Sequence, residues 1–193
     1  MVTWQITNIH IIAYFDTIFR IDQLAEVLLK DFIVNYNPES FAGLIIYHKD
    51  FNITIFKRGA IKITGIDKIE KAVSAVEEVK KILKEHGINL PDKYVLKVIN
   101  VSISGKFDCD NIDIEKMGLE LEDAFYDPDR FPAVTVYYRI SPDYTVTFNI
   151  FNNGSFVCTG LKSDLTSVNQ HVDYVISSFQ ENIIKKYCHK LKV

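Results

Sequence analysis

At 193 residues, with 48% hydrophobic and 24% charged residues, the chain is long enough for one sizeable domain or two small ones and has an ordinary globular composition. No apolar run reaches the roughly 18 residues that a membrane span needs, and the start Met1-Val2-Thr3-Trp4-Gln5 predicts no secretory leader. The net charge of −3, with 11 basic and 11 acidic groups over residues 1–91 and 11 and 14 over 92–193, lacks the basic balance of an easy nucleic-acid binder; Cys109, Cys158 and Cys188 are odd in number and form no C-x-x-C pair, which argues against a disulfide framework or zinc site and fits a reducing compartment.

In chain order, Gln5 to Ala13 alternates and is rich in isoleucine, which predicts a strand. Asp22 then precedes Leu24, Val27, Leu28 and Leu29 at helical spacing and is the expected N-cap. Tyr36-Asn37-Pro38 stops helical geometry, because proline holds its predecessor extended. Strands are expected at about 43–48, 51–57 and 60–64, the last ended by Gly65. A long helix follows, with Ile69, Val73, Val76, Val79, Ile82 and Leu83 on its apolar face. Gly87 to Pro91 is the credible linker.

The order then repeats. Val98-Ile99-Asn100-Val101 answers Ile6-Thr7-Asn8-Ile9, and Asp113 stands before Ile114, Met117, Leu119 and Leu121 as a second N-cap. Tyr126-Asp127-Pro128-Asp129-Arg130-Phe131 answers Tyr36-Asn37-Pro38-Glu39-Ser40-Phe41. Strands are expected at about 133–140, 144–151 and 155–159, with a hairpin at Asn152-Asn153-Gly154 and Gly160 ending the last. Val168, Val172, Val175, Ile176 and Phe179 face the core from the closing helix, and the basic Lys185–Lys192 run reads as a frayed tail. The offsets are 92 from Asn8 to Asn100, 90 from Phe41 to Phe131 and 95 from Thr64-Gly65 to Thr159-Gly160. Anchors in one order at a near-constant offset mean two copies of one β-α-β4-α unit, residues 1–90 and 91–193. The fold class is therefore α+β, and the short linker predicts one continuous antiparallel sheet with helices on one face and the other face open.

Chemistry of the enzymatic kind finds no support in the sequence. There is no Gly-rich phosphate loop, G-x-S-x-G or H-E-x-x-H motif. Asp108, Asp110 and Asp113 lack the glycine and terminal glutamate of a calcium loop.

These motifs, above all Tyr36-Asn37-Pro38 and Val157-Cys158-Thr159-Gly160-Leu161-Lys162-Ser163, resemble the TATA-box-binding protein core from about residue 4 to residue 183. The chain looks like a divergent member, as from a large DNA virus with its own transcription apparatus, acting in the nucleus or a cytoplasmic viral factory. The resemblance implies a saddle with helices on its convex face, binding double-stranded, A/T-rich promoter DNA in the minor groove and recruiting a TFIIB-like factor and RNA polymerase. It implies no cofactor, no small-molecule substrate and no membrane partner. It places minor-groove asparagines at Asn8 and Asn100, and threonines facing the central base pairs at Thr64 and Thr159. Wedge pairs fall on Phe41 with Phe56 and on Phe131 with Phe151, Phe148 being a rival for Phe151. Arg130 and Lys162 keep phosphate-facing places, whereas Ser40 and Tyr137 stand where arginines are expected. Val157 keeps an open-face valine that Lys62 replaces in the first copy, and His10 and Ser102 replace valines beside the asparagines. Asn52, Thr54, Thr147 and Asn149 share the wedge face by parity. An open face this polar also suits a second role, a protein-interaction module with weak or no autonomous DNA binding; a substrate-binding domain of a nucleic-acid enzyme is the third.

Overall fold

The computed structural model describes residues 2–189. The elements are β1 (Thr3–Phe15), α1 (Ile21–Leu28), β2 (Ile33–Asn35), β3 (Gly43–Tyr47), β4 (Asn52–Phe56), β5 (Ala60–Ile66) and α2 (Lys71–Glu85), then β6 (Tyr94–Lys106), α3 (Ile114–Glu120), β7 (Ala124–Phe125), β8 (Val134–Ser141), β9 (Tyr144–Ile150), β10 (Ser155–Leu161) and α4 (Val168–Phe179). A π-helical turn (Gln180–Ile184) and α5 (Lys185–Tyr187) complete the chain. The expected β-α-β4-α order is present in both copies.

The chain divides into two compact units. The middle unit is Asn8–Ile99, and the terminal unit joins the residues up to Thr7 with those from Asn100 onward. The 13-residue strands β1 and β6 therefore each serve both units. In the middle unit the antiparallel order is β2-β3-β4-β5-β1, and in the terminal unit β7-β8-β9-β10-β6.

Each unit buries one sheet face under its helices. In the middle unit Ile9, Ile11, Ile46, Ile53, Ile55, Ile61 and Ile63 meet Leu24 and Leu28 of α1 and Val76, Val79 and Leu83 of α2. In the terminal unit the core is aromatic: Phe148 stacks on Phe179 at 3.9 Å, and Phe107 stacks on Phe156 at 4.3 Å. Full burial of each such side chain contributes about 1.5–3 kcal/mol.

Several expectations are corrected. Asp113 caps α3 by accepting from Lys116 N at 3.0 Å, but α1 begins at Ile21, so Asp22 lies in its first turn and Arg20 is the N-cap residue. Gly65 and Gly160 do not end their strands; they lie inside β5 and β10, at positive φ, beside register shifts. Val73 is exposed because α2 turns Ala72 and Ala75 inward instead, and Leu119 is 87% exposed. Cys109 and Cys188, 79 residues apart, form a disulfide; Cys158 is the free, buried thiol, and burial raises its pKa. The segment to His189 is docked rather than frayed. Tyr187 is buried, its carbonyl accepts from Asp113 N at 3.0 Å, and His189 N donates to Asn111 O at 2.9 Å. Lys190 and Lys192 of the expected tail lie outside the described residues.

Candidate nucleic-acid interface

The sheet face away from the helices carries the predicted residues. Among the strands there is not one Asp or Glu, and the basic residues are Lys62, Lys97, Lys106 and Arg139. The overall negative charge therefore sits on helices and loops, and the overall charge balance misrepresents the sheet. Period-2 alternation buries Ile9 and Ile11 while leaving Asn8 and His10 half-exposed, and does the same with Lys62 and Thr64 against Ile61 and Ile63. Lys62 pairs across to Thr54, Thr64 to Asn52, Val157 to Asn149 and Thr159 to Thr147, so these four predicted neighbours share the face.

Each open face ends in a phenylalanine pair. Phe41 and Phe56 lie 5.9 Å apart at 72°, and Phe131 and Phe151 lie 5.9 Å apart at 70°. Both Phe41 and Phe131 are 44% exposed. The Tyr-Asn/Asp-Pro-x-x-Phe motif builds this twice through one turn: Phe41 N donates to Asn37 O at 2.8 Å, and Phe131 N donates to Asp127 O at 2.9 Å. Proline suits the start of that turn, where no N–H is required. The rival Phe148 is 0% exposed and packs in the core, so Phe151 is the ring that meets Phe131. Gly43 makes room in the middle unit, since a Cβ there would come within 2.6 Å of the Phe41 ring.

The asparagines are held by the glycine bulges. Gly65 N donates to Asn8 Oδ1 at 2.9 Å, and Gly160 N donates to Asn100 Oδ1 at 2.8 Å. A backbone N–H can only donate, which fixes both amide orientations and leaves each Nδ2 as the outward donor. The positive φ at Gly65 (96°) and Gly160 (89°) needs glycine. Sequence reasoning missed this lock, although the paired Asn and Thr-Gly anchors were its trace.

The asparagines' neighbours differ. Asn8 Nδ2 lies 3.1 Å from His10 Nε2. Because the amide nitrogen donates, His10 Nε2 accepts and the neutral ring carries its proton on Nδ1. Burial, and then the charge of Lys62, lower the His10 pKa and favour that neutral form. In the terminal unit Asn100 Nδ2 donates to Ser102 Oγ at 3.4 Å, and Ser102 Oγ shares a hydrogen with Thr159 Oγ1 at 3.1 Å.

Charged groups are sparse. Arg130 is 85% exposed, with Nε 3.5 Å from Asp127 Oδ2, and Lys162 is exposed just past β10. Tyr137, where an arginine is expected, is an exposed ring. The hairpin residue Tyr144 stacks on His171 of α4 and accepts from Lys162 N at 2.9 Å.

Comparison with known proteins agrees with this geometry. The family described as "Transcription factor TFIID (or TATA-binding protein, TBP)" matches residues 3–86 and 95–181, one match per copy. The TATA-box-binding protein of Pyrobaculum aerophilum is 34% identical over 164 residues, 84% of this chain and 79% of that one. That of Archaeoglobus fulgidus is 35% identical over 131 residues, 66% of this chain and 70% of that one. The structure of Methanococcus jannaschii TBP superposes with a TM-score of 0.72 at 25% identity, covering 92% of this chain and 98% of that one. These relatives are archaeal, and none of them supports the expected viral source. With its duplicated β-α-β4-α fold, this chain belongs to the TATA-box-binding protein family of transcription factors.

Proposed function

We propose that this chain initiates transcription by seating an A/T-rich duplex, minor groove inward, on the open sheet faces, with a phenylalanine pair wedged into each end of the site. The observation that carries this is the pair of matched ring couples, 5.9 Å apart in each unit, bounding strands without a carboxylate. The minor groove of A·T pairs presents only acceptors. Asn8 and Asn100 turn fixed amide donors outward, and Thr64 and Thr159 add hydroxyls. Inserting the rings costs a few kcal/mol per step in unstacking and is offset by the surface that the bent duplex buries, an exchange already known for this family. Flexible pyrimidine–purine steps such as TA are the cheapest to open. Arg130, Lys162 and Lys62 meet phosphates or groove edges, and so small a set gives a shallow salt dependence.

The role is binding rather than catalysis. The bound complex recruits a TFIIB-like factor and RNA polymerase through the Ser141-Pro142-Asp143-Tyr144 hairpin and the helical face. The polar groups around His10 and Lys62 favour the second reading, a protein-interaction module without autonomous DNA binding. A duplex with fluorophores at both ends separates the two readings. Bending predicts that energy transfer rises on adding protein to a T/A-rich duplex and stays flat for a G/C-rich one. Flat traces for both leave the protein-interaction reading.

A further inference from the structure

The two copies supply different groups at matched places on the open face, and the difference lies in which groups can accept a hydrogen bond. Two residues on from Asn8 stands His10, whose Nε2 is occupied by the Asn8 amide, and Lys62 lies across from Ile12, the next residue on that face. The imidazole Nδ1–H and the ammonium only donate, so among His10, Lys62 and Thr64 the Thr64 hydroxyl alone can accept; Thr54 and Asn52 across from Lys62 and Thr64 are answered by Asn149 and Thr147 in the terminal unit and so do not distinguish the two. Beside Asn100 stand Ser102 and Thr159, two hydroxyls 3.1 Å apart, and Val157 lies across from Ser104, the next residue on that face. A linked hydroxyl pair can rotate to present either a hydrogen or a lone pair. In the minor groove a G·C pair differs from A·T by the guanine 2-amino donor. A donor-rich surface confronts that group with like partial charges, while a hydroxyl pair can accept from it.

We infer that His10 and Lys62 are specificity-determining residues that make the middle unit reject a G·C pair, while Ser102 and Thr159 let the terminal unit tolerate one. This rests on the DNA-binding reading above. The bound duplex is consequently read with a direction: a single G·C pair in an otherwise symmetric T/A site is placed under the terminal unit.

The test is a titration of the full chain with four duplexes built on a symmetric T/A site: unmodified, with one G·C pair beside the centre, with G·C on both sides, and with inosine·C on both sides. Inosine is guanosine without the 2-amino group. For the native chain one G·C pair weakens binding by less than about threefold, and two weaken it by at least about tenfold more, because the second must lie under the middle unit. The inosine pair restores affinity to within about threefold of the unmodified site. The double variant His10→Ser/Lys62→Val, which gives the middle unit the terminal unit's residues, loses the extra penalty. The reciprocal variant Ser102→His/Val157→Lys makes even one G·C pair costly, and supports the inference if the first variant does not fold. Equal penalties for the first and second G·C pairs in the native chain, or penalties unchanged in the folded variants, overturn the inference. Equal binding to all four duplexes and to a G/C-rich control overturns the DNA-binding reading instead.

Discussion

The middle and terminal units use one scaffold in two chemistries. Both hold an asparagine by a glycine N–H and set a T-shaped phenylalanine pair at the end of the open face. They differ behind and beside that frame. The middle core is built from isoleucines, whereas Phe107, Phe148, Phe156 and Phe179 fill the terminal core. The terminal unit is tied by Cys109–Cys188. Tyr144 closes its hairpin onto His171, while in the middle unit the hairpin and α2 leave a cleft of about 780 Å³ lined by His48, Phe51, Lys71 and Glu78. Ala75 holds the helical place of His171, too small to fill that space. What the copies share is the asparagine–glycine lock and the phenylalanine pair; what they do not share is packing and polar detail.

The largest expected effect breaks the comparison at the core. Phe148→Ala, which empties a site walled by Phe107, Phe156, Phe179 and Tyr138, costs about 3–5 kcal/mol of unfolding free energy in urea titration. At the matched position of the middle unit the same truncation, Ile53→Ala, costs about 2–5 kcal/mol. Next, Cys109→Ser removes the tie across 79 residues and lowers stability by about 2–4 kcal/mol, as does reductant on the native chain; Cys158→Ala keeps the tie and its reductant sensitivity, whereas Cys109→Ser loses that sensitivity.

A third change tests the shared frame. Asn100→Ala and Asn8→Ala each leave a glycine N–H without its partner, at about 1–3 kcal/mol, toward the lower end because water reaches these half-exposed sites. Similar losses are expected from both variants; a loss in one alone contradicts a common lock.

The smallest effect concerns pH. The folded-state pKa of His10 lies below its ordinary value, so the unfolded chain binds the proton first. His10 therefore lowers stability as pH falls below about 6.5 toward its folded pKa, and contributes no such loss above that range. The stability difference between native chain and His10→Ser should shift in the variant's favour between pH 7.5 and 5, measured by thermal unfolding at each pH.

Much of this was legible because duplication writes each rule twice. Neither Phe41 nor Phe131 would stand out alone, but the same proline turn before both pointed to one role and one geometry. Alternation puts Phe148 and Phe151 on opposite faces, and the burial of Phe148 decides which of the two is open. The sequence was less informative where packing decides. Leu119 follows Met117 by two residues, about 200° around a helix, so it cannot share the buried face. Leu29 lies just past the end of α1, and Val73 lost its place to two alanines that spacing analysis passes over. The Cys109–Cys188 pair depends on the docking of residues near the C-terminus against the segment before α3, a long-range contact without local pattern. The net charge of −3 misled because it averages over helices and loops that carry the acids and strands that carry none.

The most direct test of the central claim is a fluorescence-anisotropy titration of a T/A-rich and a G/C-rich duplex, at two salt concentrations, with the native chain and with Phe41→Ala and Phe131→Ala. The wedge account predicts tighter binding to the T/A duplex, a loss of at least about tenfold in each variant, and folded variants by thermal unfolding. Feeble, equal binding to both duplexes that the substitutions leave untouched would contradict it.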